Sequence, residues 1–214
     1  MRSIAIDGPS GSGKSTVAGL LADRLQMLHL DTGAMYRTLA YLAKEEGIEA
    51  SDASALTELA RSLPFSIEGQ ELFLDGQPLP ARIREQEYAK AASVVSAHEG
   101  VRLAMQSKQR ELAARHPLIM DGRDIGTCVI PDTPYKFYLD AQVEERARRR
   151  YEQGDRDRFS YEEVLRALKE RDEKDMNRAM APLKVAEGAI VIDSTKLTIE
   201  ETMEQMISLM EKFE

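Results

Sequence analysis

Ser3-Ile4-Ala5-Ile6-Asp7-Gly8-Pro9-Ser10-Gly11-Ser12-Gly13-Lys14-Ser15-Thr16 is the stretch around which the chain is organised. Its first five residues are apolar and partly β-branched, as a buried strand is. Gly8 to Ser15 meets the pattern G-x-x-x-x-G-K-[ST] at every fixed position. Val17, Leu20, Leu21 and Leu25 then recur at helical spacing, so a helix is predicted to open at Lys14 or Ser15. A glycine turn that binds nothing needs neither all the fixed positions nor both flanking elements. The segment Gly8, Pro9, Ser10, Gly11, Ser12, Gly13, Lys14, Ser15, Thr16 therefore implies a nucleoside triphosphate site. Glycines let the backbone approach an anion, and the helix N-terminus donates N–H groups to phosphate oxygens. Lys14 would reach the β/γ-phosphates, and the Ser15 hydroxyl would sit on Mg²⁺.

Composition narrows the partners. The 214 residues suit one domain with small insertions. With 29 basic and 37 acidic residues the net charge is −8, which argues against a broad nucleic-acid footprint. Any basic patch must be local, as one for a small phosphorylated ligand is. Cys128 is the only cysteine, which excludes an intrachain disulfide and fits a reducing compartment. The sequence enters its first strand with no signal-like segment, and no apolar run approaches membrane-spanning length. A cytoplasmic protein with no membrane partner is expected.

Further along, residues 28–31, 117–121, 135–139 and 189–193 read as four more buried strands separated by helices. Right-handed crossovers then build a five-stranded parallel doubly wound α/β sheet. Between the second and third strands lie helices over 34–46, 51–63, 85–95 and 98–115. A β-hairpin over 65–68 and 71–74 sits among them, with a turn at 75–78 and a short third strand expected at Ala81-Arg82-Ile83. This helical and antiparallel piece reads as an insertion forming a second ligand site.

Candidate chemistry gathers at the carboxyl ends of strands, where ligands bind in open parallel sheets. Arg37 follows Asp31-Thr32-Gly33 near a helix start, where it is either a solvated arginine or a residue awaiting an anion. Asp121, Arg123 and Asp124 leave the third strand, and an arginine between aspartates there reads as functional. From spacing alone Ser93 and Arg102 are either ligand contacts or plain helix-surface residues, and the plainer reading is preferred. Four arginines, Arg146, Arg148, Arg149 and Arg150, fall within five residues and favour phosphate contacts, with Gly154 marking a lid tip. Arg171, Asp175 and Arg178 form one helical stripe, either a surface ion-pair ladder or a display for a ribose and phosphates. Ser160 and Thr198 open capping boxes, and the last helix carries a methionine stripe read as core.

Four motifs together resemble bacterial cytidylate kinases of the P-loop nucleoside monophosphate kinase family. They are Gly8–Ser15, Asp31-Thr32-Gly33-Ala34-Met35-Tyr36-Arg37, Asp121-Gly122-Arg123-Asp124-Ile125-Gly126-Thr127, and the Arg171-Asp172, Asp175, Arg178-Ala179, Pro182-Leu183 series. The resemblance implies a single kinase domain over 1–214. Its core would be 1–31, 116–145 and 160–214, its monophosphate-binding insertion about 32–115 and its lid about 146–159. It implies transfer of the γ-phosphoryl group of ATP to CMP or dCMP with Mg²⁺; a monomer is expected by default. Residue by residue, it makes Thr32, Arg37 and Arg123 holders of the acceptor phosphate, with Tyr36 beside them. Ser93, Arg102 and Asp124 would read cytosine, and Arg171 and Asp175 would hold the sugar. Arg178 would join the phosphates, Arg146, Arg149 and Arg150 would supply lid arginines, and Ser15 with Asp121 would hold the metal, Asp121 through water. Lys14, Arg123, Arg178, Arg149 and Arg150 make up the expected catalytic set. The rival readings are a P-loop kinase for UMP, AMP or another metabolite, and a nucleotide-binding regulatory switch. A switch requires a partner surface that no segment marks.

Overall fold

The computed structural model describes residues 2–69, 71–155 and 158–211. The five predicted parallel strands are β1 (Ile4–Asp7), β2 (Leu28–Asp31), β6 (Leu118–Gly122), β7 (Lys136–Asp140) and β8 (Ile190–Asp193). They form one sheet in the order β2-β6-β1-β7-β8. β1 is central, and all four of its residues are buried. Ile4 and Ile6 pack on one face with α1 (Lys14–Leu25) and α8 (Ile199–Met210), together with Val17, Leu21, Phe137, Met206 and Met210. The methionine stripe is core, as expected. Ala5 faces the other layer with Leu30, Met35, Leu39, Leu56, Met105, Leu118 and Met120. These come largely from α2 (Thr32–Glu45), α3 (Ala53–Ser62) and α5 (Glu99–Arg115).

Register aligns the strand ends. Asp7 is level with Gly122, Asp31 with Asp121, and Asp140 with Asp193. A row of carboxylates thus lies along the edge where the loops carrying the predicted site leave the sheet. The chain runs from β1 out to β2, back to β6, and then across β1 to β7, which opens a crevice above β1 and β6.

The insertion departs from expectation at one place. Its antiparallel sheet is β3 (Phe65–Glu68), β4 (Glu71–Leu74) and β5 (Gln77–Pro78), while Ala81–Arg84 is a 3₁₀ turn and not a strand. Asp75 and Gly76 both have positive φ, 51° and 66°. That is a two-residue primed turn, so the chain folds back at once and Gln77 and Pro78 pair with Leu74 and Phe73. The free side of β4, which residues 81–84 were expected to take, is thereby already filled. α4 (Gln86–Val95) follows and packs on α2.

Beyond β7, α6 (Val143–Arg150) runs into a π turn, Tyr151–Asp155, and α7 (Tyr161–Asn177) begins at the predicted Ser160 capping box. Arg156 and Asp157 of the expected lid lie outside the described residues. Arg178 stands just past the end of α7 with extended backbone, so the Arg171–Asp175–Arg178 stripe is not continuous helix.

Candidate active site

The loop after β1 is shaped by close approach. Gly8 has φ 150°, and a Cβ there would lie 2.1 Å from the Leu139 carbonyl oxygen. Gly13 caps α1 at φ 90°, with no side chain bonded to the helix's first N–H groups. The start of α1 is thereby left to face an anion. Lys14 is buried, and its Nζ donates to the Pro9 carbonyl at 2.6 Å and to Ser12 Oγ at 3.3 Å. Burial, reinforced by Arg123, holds its pKa well below the usual lysine range. Ser10, Gly11, Gly13, Lys14, Ser15 and Thr16 line a cavity of about 430 Å³. Gly8, Pro9 and Ser12 lie behind it and shape the loop.

A buried ion pair grips this loop from outside. Asp172 accepts from the Ser10 N–H at 3.2 Å, and Arg146 donates to the Ser10 carbonyl at 2.8 Å and to Asp172 at 2.6 Å. Arg146 also donates to the Ala141 carbonyl. Its guanidinium is therefore committed to the protein, contrary to the expectation that it serves a lid. Of its neighbours in the basic run, Arg148 is paired on the surface with Glu145 and Glu152. Arg149 donates to Glu145 and to the Ser194 carbonyl, yet both Arg149 and Arg150 line the cavity.

The same cavity reaches the residues expected on the acceptor side, Thr32, Tyr36, Arg37, Ser93, Arg102, Arg123, Asp124, Arg171, Asp175 and Arg178, and also Asp121. Arg37 is held by Asp31 at 2.7 Å and Arg123 by Asp175 at 2.9 Å. Burial pushes Arg171 down to about 10, helped by Arg123 and opposed by Asp175. Asp175 is also buried, but Arg123 and Arg171 outweigh that and keep its carboxyl below the usual range. Among the described residues, Arg37 Nε, Arg171 Nε and Arg178 Nη2 are buried donors with no hydrogen-bond partner. Crowded guanidiniums with unspent N–H groups make an anion site. Thr32 spends its proton on the Asp121 carbonyl at 2.7 Å, so its hydroxyl must rotate to reach a phosphate.

Asp124 lies at the far end, 5% exposed. One of its oxygens accepts from Arg102 at 3.0 Å, with Arg178 at 3.6 Å, and the other accepts from Gln106 at 2.7 Å. Tyr36 lies under Arg102, 5.4 Å from ring centre to guanidinium.

Beside the P-loop, Ser15 Oγ donates to one Asp121 oxygen at 2.6 Å, and the other lies 2.7 Å from His29 Nε2. Burial disfavours charge on both partners, but their attraction wins: His29 is raised and Asp121 lowered.

Asp7 is another residue that spacing did not single out. Its two oxygens accept separately from the Ile125 N–H at 2.9 Å and the Gly126 N–H at 2.8 Å, fixing the loop that carries Arg123 and Asp124. Burial pushes its carboxyl from 3.8 up to about 6, against those bonds. Between the two values the folded state holds the extra proton, so this group's contribution to stability falls as pH rises through that window. Below about pH 6 one oxygen turns from acceptor to donor and one loop N–H loses its partner. The acceptor KM is expected to rise severalfold from pH 7.5 to 5.5 in a wild-type titration. A flat acceptor KM over that range would remove Asp7 from this role.

The cytidylate kinase family model matches residues 4–212. The chain belongs to the cytidylate kinase family. It is 46% identical over 211 residues to a cytidylate kinase of Caldanaerobacter subterraneus subsp. tengcongensis, covering 98% of this chain and 94% of that one. A cytidylate kinase of Pseudomonas syringae pv. tomato is 45% identical over 213 residues, covering 96% and 93%. Among solved structures, a shikimate kinase from Acinetobacter baumannii superposes at a TM-score of 0.51 with 16% identity, over 100% of this chain and 95% of that one. That likeness concerns the fold alone. This member of the family is a kinase, and no helix among its described residues is long and apolar enough to cross a membrane.

Some of the site was out of reach of spacing. His29 precedes the Asp31 motif by only two residues, but its partner Asp121 is 92 positions away. Gln106 had a local signal: it is one turn beyond Arg102 on α5, at i+4, and so shares its face.

Proposed function

We propose that this protein transfers the γ-phosphoryl group of ATP to CMP or dCMP, with Mg²⁺, giving ADP and the corresponding diphosphate. One observation carries the reading. A single cavity joins the P-loop to an arginine-rich acceptor end closed by a buried carboxylate, Asp124. ATP phosphates would lie on the loop's N–H groups and Lys14. Ser15 and Asp121 offer hard oxygen donors next to Lys14, which suits a Mg²⁺ ion that keeps waters and shares substrate phosphates. Bound there, the ion would neutralise charge on the transferring phosphate.

Arg37 and Arg123, with Thr32 once rotated, hold the acceptor phosphate. Arg171 and Asp175 hold the sugar, and Arg178 reaches between phosphate and base. Arg149 and Arg150 approach from the lid side. Phosphoryl transfer requires little beyond in-line positioning and charge stabilisation, and this set supplies both. At the base, Ser93, Arg102 and Asp124 read cytosine, whose amine donates to the carboxylate. Uracil turns a carbonyl to the same place and leaves acceptors facing each other. The division into a core, an insertion over about 32–115 and a lid over about 146–159 belongs to the same reading. So does action as a cytoplasmic monomer.

The test is ADP release from ATP and Mg²⁺ with each nucleoside monophosphate supplied separately. CMP and dCMP should raise turnover far above UMP, AMP and GMP. Asp124→Ala should erode that preference by roughly 10²-fold, as expected when a polar base edge loses its partner. Turnover independent of any monophosphate would leave the P-loop standing and remove the acceptor site.

A further inference from the structure

We propose that Gln106 is the residue that sets pyrimidine selectivity through Asp124: it is a positioning residue that holds the carboxylate open as an acceptor toward the base. This rests on the cytosine reading above and deepens it. Gln106 is 1% exposed and does not line the cavity, so it acts through its neighbour. Arg102, Gln106 and Arg110 stand at i, i+4 and i+8 on α5, a single stripe facing the loop that follows β6. Arg102 is anchored on the Ser96 carbonyl and donates to one Asp124 oxygen. Arg110 is anchored by two bonds to the Cys128 carbonyl and donates to Gln106 Oε1 at 3.3 Å.

Arginine can only donate, so its contact settles the orientation of the amide: the Gln106 oxygen faces Arg110 and its NH₂ faces Asp124. The amide delivers a neutral donor at 2.7 Å to the Asp124 oxygen that Arg102 leaves unbound. A carboxylate bonded by donors on both oxygens has no freedom to swing. Its remaining lone pairs face the cavity as acceptors. A cytosine amine satisfies them, and a uracil carbonyl does not.

Two variants of equal length or volume separate this from simple packing. Gln106→Leu removes the donor and frees Asp124 to rotate. Gln106→Glu places a second carboxyl against the first, and the pair retains a proton that either can offer. In Gln106→Leu the CMP KM should rise on the order of tenfold while the ATP KM and the UMP KM stay near wild type, as expected for one lost hydrogen bond to a charged group. In Gln106→Glu the preference should fall further, because UMP now meets a donor, and Arg102→Lys is not expected to reproduce that gain. Restoring the amide one methylene shorter, Gln106→Asn, should recover less than the wild-type preference.

Steady-state kinetics with CMP, dCMP and UMP, with melting temperatures alongside, reads the outcome. If Gln106→Leu does not fold, Gln106→Glu decides alone, since it preserves the side-chain volume. Unchanged CMP-to-UMP ratios in the folded variants, or equal losses with CMP, UMP and ATP, would overturn the proposal and leave Gln106 a packing residue. A wild-type enzyme indifferent to CMP and UMP would instead overturn the cytosine reading beneath it.

Discussion

Replacing Lys14 by methionine should lower the rate of phosphoryl transfer by about 10³-fold or more and leave the melting temperature unchanged or raised. The two effects have one cause. Lys14 is 5% exposed, and its ammonium is bonded to the Pro9 carbonyl and Ser12 Oγ within the loop. Burial and the neighbouring Arg123 push its pKa well down, so the protonated side chain is a cost to the folded state. A lysine whose folded pKa is depressed destabilises the fold fully below that value, and the cost is relieved as pH rises toward the unfolded pKa. Methionine fills a similar volume with no charge, which removes that cost. On the proposed function the lost positive charge is the one that serves the transferring phosphate, and no other lysine lines the cavity among the described residues. Single-turnover ADP formation and a thermal melt on the same sample check both halves. Transfer within tenfold of wild type would show that the arginines alone carry the charge. A large drop in melting temperature would show that Lys14 is structural.

The second large effect concerns the pair behind the loop. Arg146→Met or Asp172→Leu should each destabilise the protein by about 3–5 kcal/mol, since each leaves a buried charge without its partner. For a chain of 214 residues that is a drop on the order of 10 °C. The double variant should regain most of the loss, because an apolar pair of similar volume replaces two desolvated charges. Its catalysis should not recover. Ser10 is held by this pair through both its N–H and its carbonyl, and without that grip the P-loop backbone loses its preset shape. A raised ATP KM in a double variant that melts near wild type is the expected result. Additive losses of stability would mean that Arg146 and Asp172 act separately, and a normal ATP KM would relieve them of positioning the loop. α6 and α7 would then be joined to the P-loop by packing alone.

The features legible along the chain are local ones. The P-loop is a run of eight residues whose spacing is its own evidence. The five strands are short buried runs that an apolar window detects, and the capping boxes at Ser160 and Thr198 are complete within four residues. The residues expected at the acceptor, from Thr32 to Arg178, follow from four motifs and, for Ser93 and Arg102, from the family resemblance alone, and one cavity brings them together with most of the P-loop. Ala81–Ile83 was misread because strand propensity says nothing about edges: the tight turn at Asp75-Gly76 had already used the edge of β4.

Which charges face the cavity and which face the protein is a matter of long-range packing. Arg146 and Arg149 are three residues apart in one basic run, yet the first is bonded to Ser10, 136 positions away, and the second reaches the cavity. Asp7 fixes a loop 118 residues later, and His29 meets Asp121 across neighbouring strands. A guanidinium or a carboxylate carries the same charge wherever it stands. Its role depends on the partner that the fold places within about 3 Å of it, and hydrogen bonding and burial at that distance are not written in spacing along the chain.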